Sequence, residues 1–131
     1  MAPHYRDLIV WRRSMELARV AHLVAGRVRV ARPDDSAPLP DMLRAAALEI
    51  PARLAAGYGS EQLERYVRAV DAAHRKVARA ECLLALAEEL GLVAPDDAEL
   101  ARARELCADI ARLLATLHTS LRLRDQARPA E

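Results

Sequence analysis

The chain has 131 residues, of which 53% are hydrophobic and 30% charged, with a formal net charge of +1. A chain of this length suits one domain, and this balance is too apolar for a disordered segment. No apolar run approaches the roughly 18–20 residues of a membrane-spanning helix. The N-terminal apolar run, Leu8 to Trp11, is too short for a secretory signal and is followed by Arg12 and Arg13, so the expected compartment is the cytoplasm. Aromatic residues are only 3% of the chain, Phe is absent, and β-branched residues never alternate over a useful length. The expected fold class is all-α.

Taken in chain order, the apolar spacing predicts four helices. Leu8, Trp11, Met15, Ala18, His22 and Ala25 recur every three to four residues, and Leu17, Ala21, Val24 and Val28 widen the stripe, predicting a helix over 8–29 with Asp7 as its N-cap. The stretch 30–40, with Pro33, Pro38 and Pro40 among Asp and Ser, reads as a loop. Leu43, Ala46, Ala47, Ile50 and Leu54 predict a second helix over 41–57. Pro51 lies inside it, removing one backbone donor and crowding the Ala47 carbonyl, so it either kinks one helix or divides two. Ser60 stands as N-cap of a third helix, 60–90, closed by Gly91. Asp96 and Glu99 have capping-box spacing at the start of a fourth, 96–124, and 125–131 reads as a frayed tail.

The short link between the third and fourth helices makes them antiparallel neighbours, so the expected architecture is an up-down-up-down four-helix bundle. Folding about that link brings Cys82 and Cys107 to within a turn or so of one level. Two small buried core residues is the preferred reading for this pair, with a disulfide geometrically conceivable. Ile9, Val10, Leu106, Leu113 and Leu123 fall off the main stripes, an apolar excess that suggests a subunit interface.

Charge is unevenly spread. Residues 1–79 carry 14 basic and 9 acidic side chains, a balance of +5, and residues 80–131 carry 6 and 10, a balance of −4. Arg12 and Arg13, with Arg19, Arg27, Arg29 and Arg32, form a basic cluster suited to pairing across a subunit boundary with the acidic stretch Glu81 to Asp109. A second cluster, Arg65, Arg68, Arg75, Lys76 and Arg79, shares roughly one side of the third helix. Arginines so placed can grip phosphates bidentately. The same row also reads as a solvated face in a chain where 19 of the 20 basic residues are Arg.

The segments YRDLIVWRRSMELA and RAAALEIPARLAAGYG resemble the bacterial four-helix bundle proteins related to those encoded in intervening sequences of 23S rRNA genes. Leu8 and Trp11, Arg44-Ala45, Ile50-Pro51, Ala55 with Gly57, and Leu90-Gly91-Leu92 carry the likeness over about residues 5–123. Arg53 and Ala56 stand where that family usually has Asn and Glu, and Arg75-Lys76 replaces its Gly-Ser. The last pair makes the chain similar to the accessory proteins of diversity-generating retroelements. The resemblance implies a ring-like homo-oligomer, commonly a pentamer, and no established enzymatic activity.

Catalytic constellations are weak. Asp71-x-x-His74 is one echo of the Glu-x-x-His motif of di-iron bundles, but Arg19 and Ala115 stand where a second copy would need an acid before His22 or His118. His74 is expected to be partly buried and paired with Asp71 or a neighbouring helix. No metal, cofactor or catalytic residue is therefore assigned. The leading reading is a non-enzymatic homo-oligomeric scaffold or adaptor. The alternative is an accessory protein that contacts the phosphate backbone of RNA or a DNA–RNA hybrid through the third helix, in partnership with a reverse transcriptase.

Overall fold

The computed structural model describes residues 4–31 and 38–127. A 3-10 turn, Tyr5–Asp7, leads into α1, Ile9–Ala31; α2 spans Leu39–Tyr58, α3 Leu63–Glu89 and α4 Ala98–Ala127. Among the described residues there are four α-helices and no strand, so the fold is all-α. Part of the loop expected at 30–40 (32–37) and of the tail (128–131) lies outside the described residues. Residues 125–127, expected to fray, continue α4.

Each helix packs on two neighbours: α1 on α2 and α4, and α3 on α2 and α4, with little contact across the diagonals. The pairings run antiparallel. Arg29 meets Asp41 and His22 meets Arg44 between α1 and α2. Glu88 meets Arg104 and Asp71 meets His118 between α3 and α4. The core is aliphatic and small, with Leu17, Val24, Leu43, Ile50, Leu54, Leu84, Leu100, Ile110 and Leu114 all fully buried.

The core face of α1 differs from the expected one. Leu17, Ala21, Val24 and Val28 are fully buried, while Met15 is 46% exposed and His22 is exposed. The two stripes overlap, and the one without a histidine turns inward because burying an imidazole needs a polar partner. Ser14 is the buried polar exception, and its hydroxyl donates to the Val10 carbonyl at 2.7 Å.

Three helix starts are displaced from expectation. The Asp7 carboxylate accepts from the backbone N–H of His4 at 3.0 Å, closing the 3-10 turn instead of capping α1. The Ser60 hydroxyl accepts from the Gln62 N–H at 3.2 Å, so α3 begins a turn later than Ser60 suggests. Asp97, not Asp96, caps α4: its Oδ1 accepts from the N–H groups of Glu99 and Leu100, each at 3.0 Å. Pro51 neither ends nor divides α2, which runs unbroken through it. Gly91, at φ +70°, ends α3 as expected, and the Leu92 N–H reaches back to the Ala87 carbonyl at 2.9 Å. That 6→1 bond is a Schellman closure, and it turns Leu92 and Val93 into the core.

Candidate nucleic-acid interface

α2 and the first two-thirds of α3 run side by side, and small residues set their spacing near the connecting turn. A Cβ added to Gly57 would stand 2.2 Å from the Cβ of Ala69, so only glycine permits this approach. Next to that contact the rings of Tyr58 and Tyr66 meet edge-on, 5.6 Å between centroids. Burial, with Tyr58 beside it, raises the Tyr66 phenol above its ordinary pKa.

On the solvent side of this contact lies a long depression. Its wider part, about 760 Å³, is lined by Arg53, Ala56, Gly57, Gly59, Ser60, Glu61, Gln62, Arg65, Arg68, Ala69 and Ala72. A second part, about 370 Å³, is lined by Arg53, Ala72, Arg75, Lys76 and Arg79. Arg53 and Ala72 belong to both, so the two parts form one groove. All five basic residues expected on the third helix therefore line it, joined by Arg53 from α2.

Six cations line this groove against one acid, Glu61. Arg53 is matched by Glu49 at 3.0 Å and Arg68 loosely by Glu64 at 3.9 Å. Arg65, Arg75, Lys76 and Arg79 have no carboxylate within ion-pair distance among the described residues. Elsewhere half of the described arginines are matched: Arg27 with Asp97 and Glu99, Arg29 and Arg44 with Asp41, Arg102 with Glu16 and Glu105, Arg104 with Glu88, Arg112 with Asp109.

Sequence reasoning missed Arg53 and the floor of the groove. Arg53 stands in the sequence as a departure from the pattern of the family the sequence resembles and as the i+4 partner of Glu49, an ordinary surface pair, and neither marks it as a neighbour of the third helix. The available signal was Gly57 near the end of a helix, since a helical glycine often marks a close approach.

The expected subunit-interface set is divided by the structure. Val10, 5% exposed, and Leu106, fully buried, belong to the protomer's own core and cannot meet another copy. Leu113 is half-buried against that core, and Ile9 is 61% exposed. The Arg12 Nε donates to the Arg6 carbonyl at 2.9 Å, and Arg13 is half-buried. Within the acidic stretch Glu81 to Asp109, Glu88, Asp97, Glu99, Glu105 and Asp109 are paired inside the protomer. Five of the eight acids expected to cross a subunit boundary are thus already engaged, as are Arg27 and Arg29 of the basic cluster. Of the expected apolar excess, Ile9 and Leu123 are exposed, and they are joined by Met15, Leu23, Val30, Leu48, Leu86 and Leu90.

The cysteines and histidines are also redistributed. Cys107 is buried and Cys82 exposed, both as free thiols, so they are not a pair of core residues. Burial first, with the Glu81 carboxylate second, pushes the Cys107 thiol up to about 12. His74 is exposed, and it is His118 that faces Asp71, with Nε2 3.6 Å from Oδ1. The described residues hold no group of three His, Cys, Asp or Glu side chains placed to share a metal ion. None of the helices described is long and apolar enough to cross a membrane.

No family model and no curated protein matches this sequence.

Proposed function

We propose that the chain is a non-enzymatic protein that holds the phosphate backbone of nucleic acid in the groove between α2 and α3. One observation carries this reading. Arg65, Arg75, Lys76 and Arg79 lie along one groove with no carboxylate within ion-pair distance among the described residues. Like charges at helical spacing repel one another, and a polyanion relieves that repulsion while releasing its own counterions. The likeness of Arg75-Lys76 to retroelement accessory proteins supports the same reading, with RNA or a DNA–RNA hybrid as ligand and a reverse transcriptase as partner.

The test is a titration against duplex, single-stranded and hybrid oligonucleotides at 50 and 200 mM salt. Four to six phosphate contacts lower affinity by about 10²–10³-fold over that range. Replacing Arg75 and Lys76 with Ala leaves the helix intact, since exposed positions tolerate Ala well, and removes most of the binding. Absence of binding at 50 mM salt would refute the reading.

A second reading, self-assembly into a scaffold, is favoured by a separate observation. Leu23 and Val30, 43% and 82% exposed, flank Gly26 on α1 and line an open, mostly apolar cleft of about 620 Å³. A ring-like homo-oligomer, a pentamer as in the family the sequence resembles, would cover such side chains. The two readings are compatible, because a ring repeats its basic grooves.

A further inference from the structure

We infer that Arg53 grips the phosphate backbone from α2, across the seam from the cations of α3, while Glu49 holds its side chain in place. The inference rests on the phosphate-binding reading above and adds a contact from the second helix, with the residue that positions it. The antiparallel seam places Arg53. Gly57 meets Ala69 where the two helices approach closely. One turn away from that contact on each helix stand Arg53 and Ala72, the two residues that line both parts of the groove. Arg53 therefore sits where the two parts join, and it is the one cation that α2 adds to the lining.

Its guanidinium is held by one edge. The Nε donates to Oε2 of Glu49 at 3.0 Å, while the two terminal nitrogens make no hydrogen bond among the described residues. Glu49 stands one turn earlier on α2, and neither side chain is buried: Arg53 is 46% exposed and Glu49 39%. A pair so exposed adds little to stability. It does restrain a long, flexible side chain while leaving its other donors open to a ligand. Phosphate oxygens accept two parallel hydrogen bonds from an arginine, and the two terminal nitrogens can supply both without Nε. Ordering such a side chain only on binding weakens affinity by about two- to twelvefold, a loss that Glu49 removes in advance. Glu49 acts through Arg53 and is a positioning residue.

The experiment measures fluorescence anisotropy of a labelled RNA strand and of its DNA–RNA hybrid at 50 and 200 mM salt, with the full chain. Arg53→Ala, at an exposed helical position, should lower affinity by about threefold or more and reduce the slope of log affinity against log salt by about one. Glu49→Gln and Glu49→Ala remove the same charge, but only glutamine keeps an oxygen for Nε. Glu49→Gln should therefore bind about twofold or more tightly than Glu49→Ala, and the two should be equal once Arg53 is replaced by alanine. If Arg53→Ala binds as the parent does, with an unchanged slope, while Arg75→Ala/Lys76→Ala loses binding, Arg53 is not a contact. The inference then falls and the phosphate-binding reading stands. Equal affinities of Glu49→Gln and Glu49→Ala with Arg53 present overturn the positioning by Glu49. If neither oligonucleotide binds the parent at 50 mM salt, the reading beneath the inference fails with it.

Discussion

Gly57 and Ala69 bring α2 and α3 into close approach: no Cβ fits on Gly57, because it would overlap that of Ala69 at 2.2 Å. Gly57→Ala gains ~1 kcal/mol of helix propensity. It loses more to overpacking, which costs ~1–3 kcal/mol where backbones are already in contact. The expected net effect is lower stability in urea unfolding and a wider groove. The double variant Gly57→Ala/Ala69→Gly moves the missing Cβ to the other helix. It should return to within about 1 kcal/mol of the parent, the non-additivity of two residues in contact.

The fold was legible because periodicity reports burial directly. Leu43, Ala46, Ala47, Ile50 and Leu54, or Leu100, Ala103, Cys107, Ile110 and Leu114, recur at helical spacing and are all buried. The helix ends were harder, since a cap is chosen by loop geometry among neighbouring candidates: Asp97 over Asp96, and a turn at Ser60 before α3 begins. The five cations of α3 were legible as a row on one helix. That the row borders a groove was not, because a groove belongs to two helices, and neither Arg53 nor Gly57 announces its neighbour in the linear chain. For the same reason Val10 and Leu106 passed for surface excess: both belong to second stripes that the bundle buries.

Glu16 and Arg102 tie α1 to α4 through two hydrogen bonds, Nε to Oε2 at 2.8 Å and a terminal nitrogen to Oε1 at 2.9 Å. The Arg102 hydrogen bonds hold the Glu16 carboxyl below its ordinary value of 4.5. A depressed carboxyl contributes stability at pH above 4.5, and that contribution is lost as pH falls through the lower folded value. Both side chains are partly exposed, so the contribution is up to ~1 kcal/mol. The stability difference between parent and Glu16→Gln should be measurable by urea unfolding at pH 7 and vanish on strong acidification. A difference that persists unchanged at acid pH would mean the carboxylate charge is not what joins the helices.

Cys82 and Cys107 should separate cleanly by reactivity. The thiolate is the reactive form, and the buried Cys107 thiol is pushed up to about 12, whereas Cys82 is exposed. A thiol reagent at pH 8 should titrate one cysteine in the native protein and two in denaturant. The linkage has a sign as well. A raised thiol pKa contributes stability that is fully present below the unfolded value of 9.0 and is lost as pH rises toward about 12. The stability advantage of the parent over Cys107→Ala should therefore shrink above pH 9.0. Two rapidly titrating thiols in the native state would contradict the buried position of Cys107.

Leu23 and Val30 stand one heptad apart on α1, with Gly26 between them and no side chain to block a second helix. Arg27 would otherwise intrude on this face, but Asp97 and Glu99 hold its guanidinium toward α4 at 3.3 and 3.2 Å. An apolar ridge around a glycine, with its charged neighbour drawn aside, is suited to close helix contact with another copy of the chain. Glutamates in place of Leu23 and Val30 would put repelling charges at such a contact, yet both positions are exposed, so the fold should survive. Light scattering should then show the parent as a multiple of 14.5 kDa and Leu23→Glu/Val30→Glu as the monomer, with equal helical circular dichroism. A parent that already scatters as a monomer removes self-assembly as a function. A double variant that keeps the parent's mass moves the interface to another of the exposed apolar positions, such as Leu48 on α2 or Leu123 on α4.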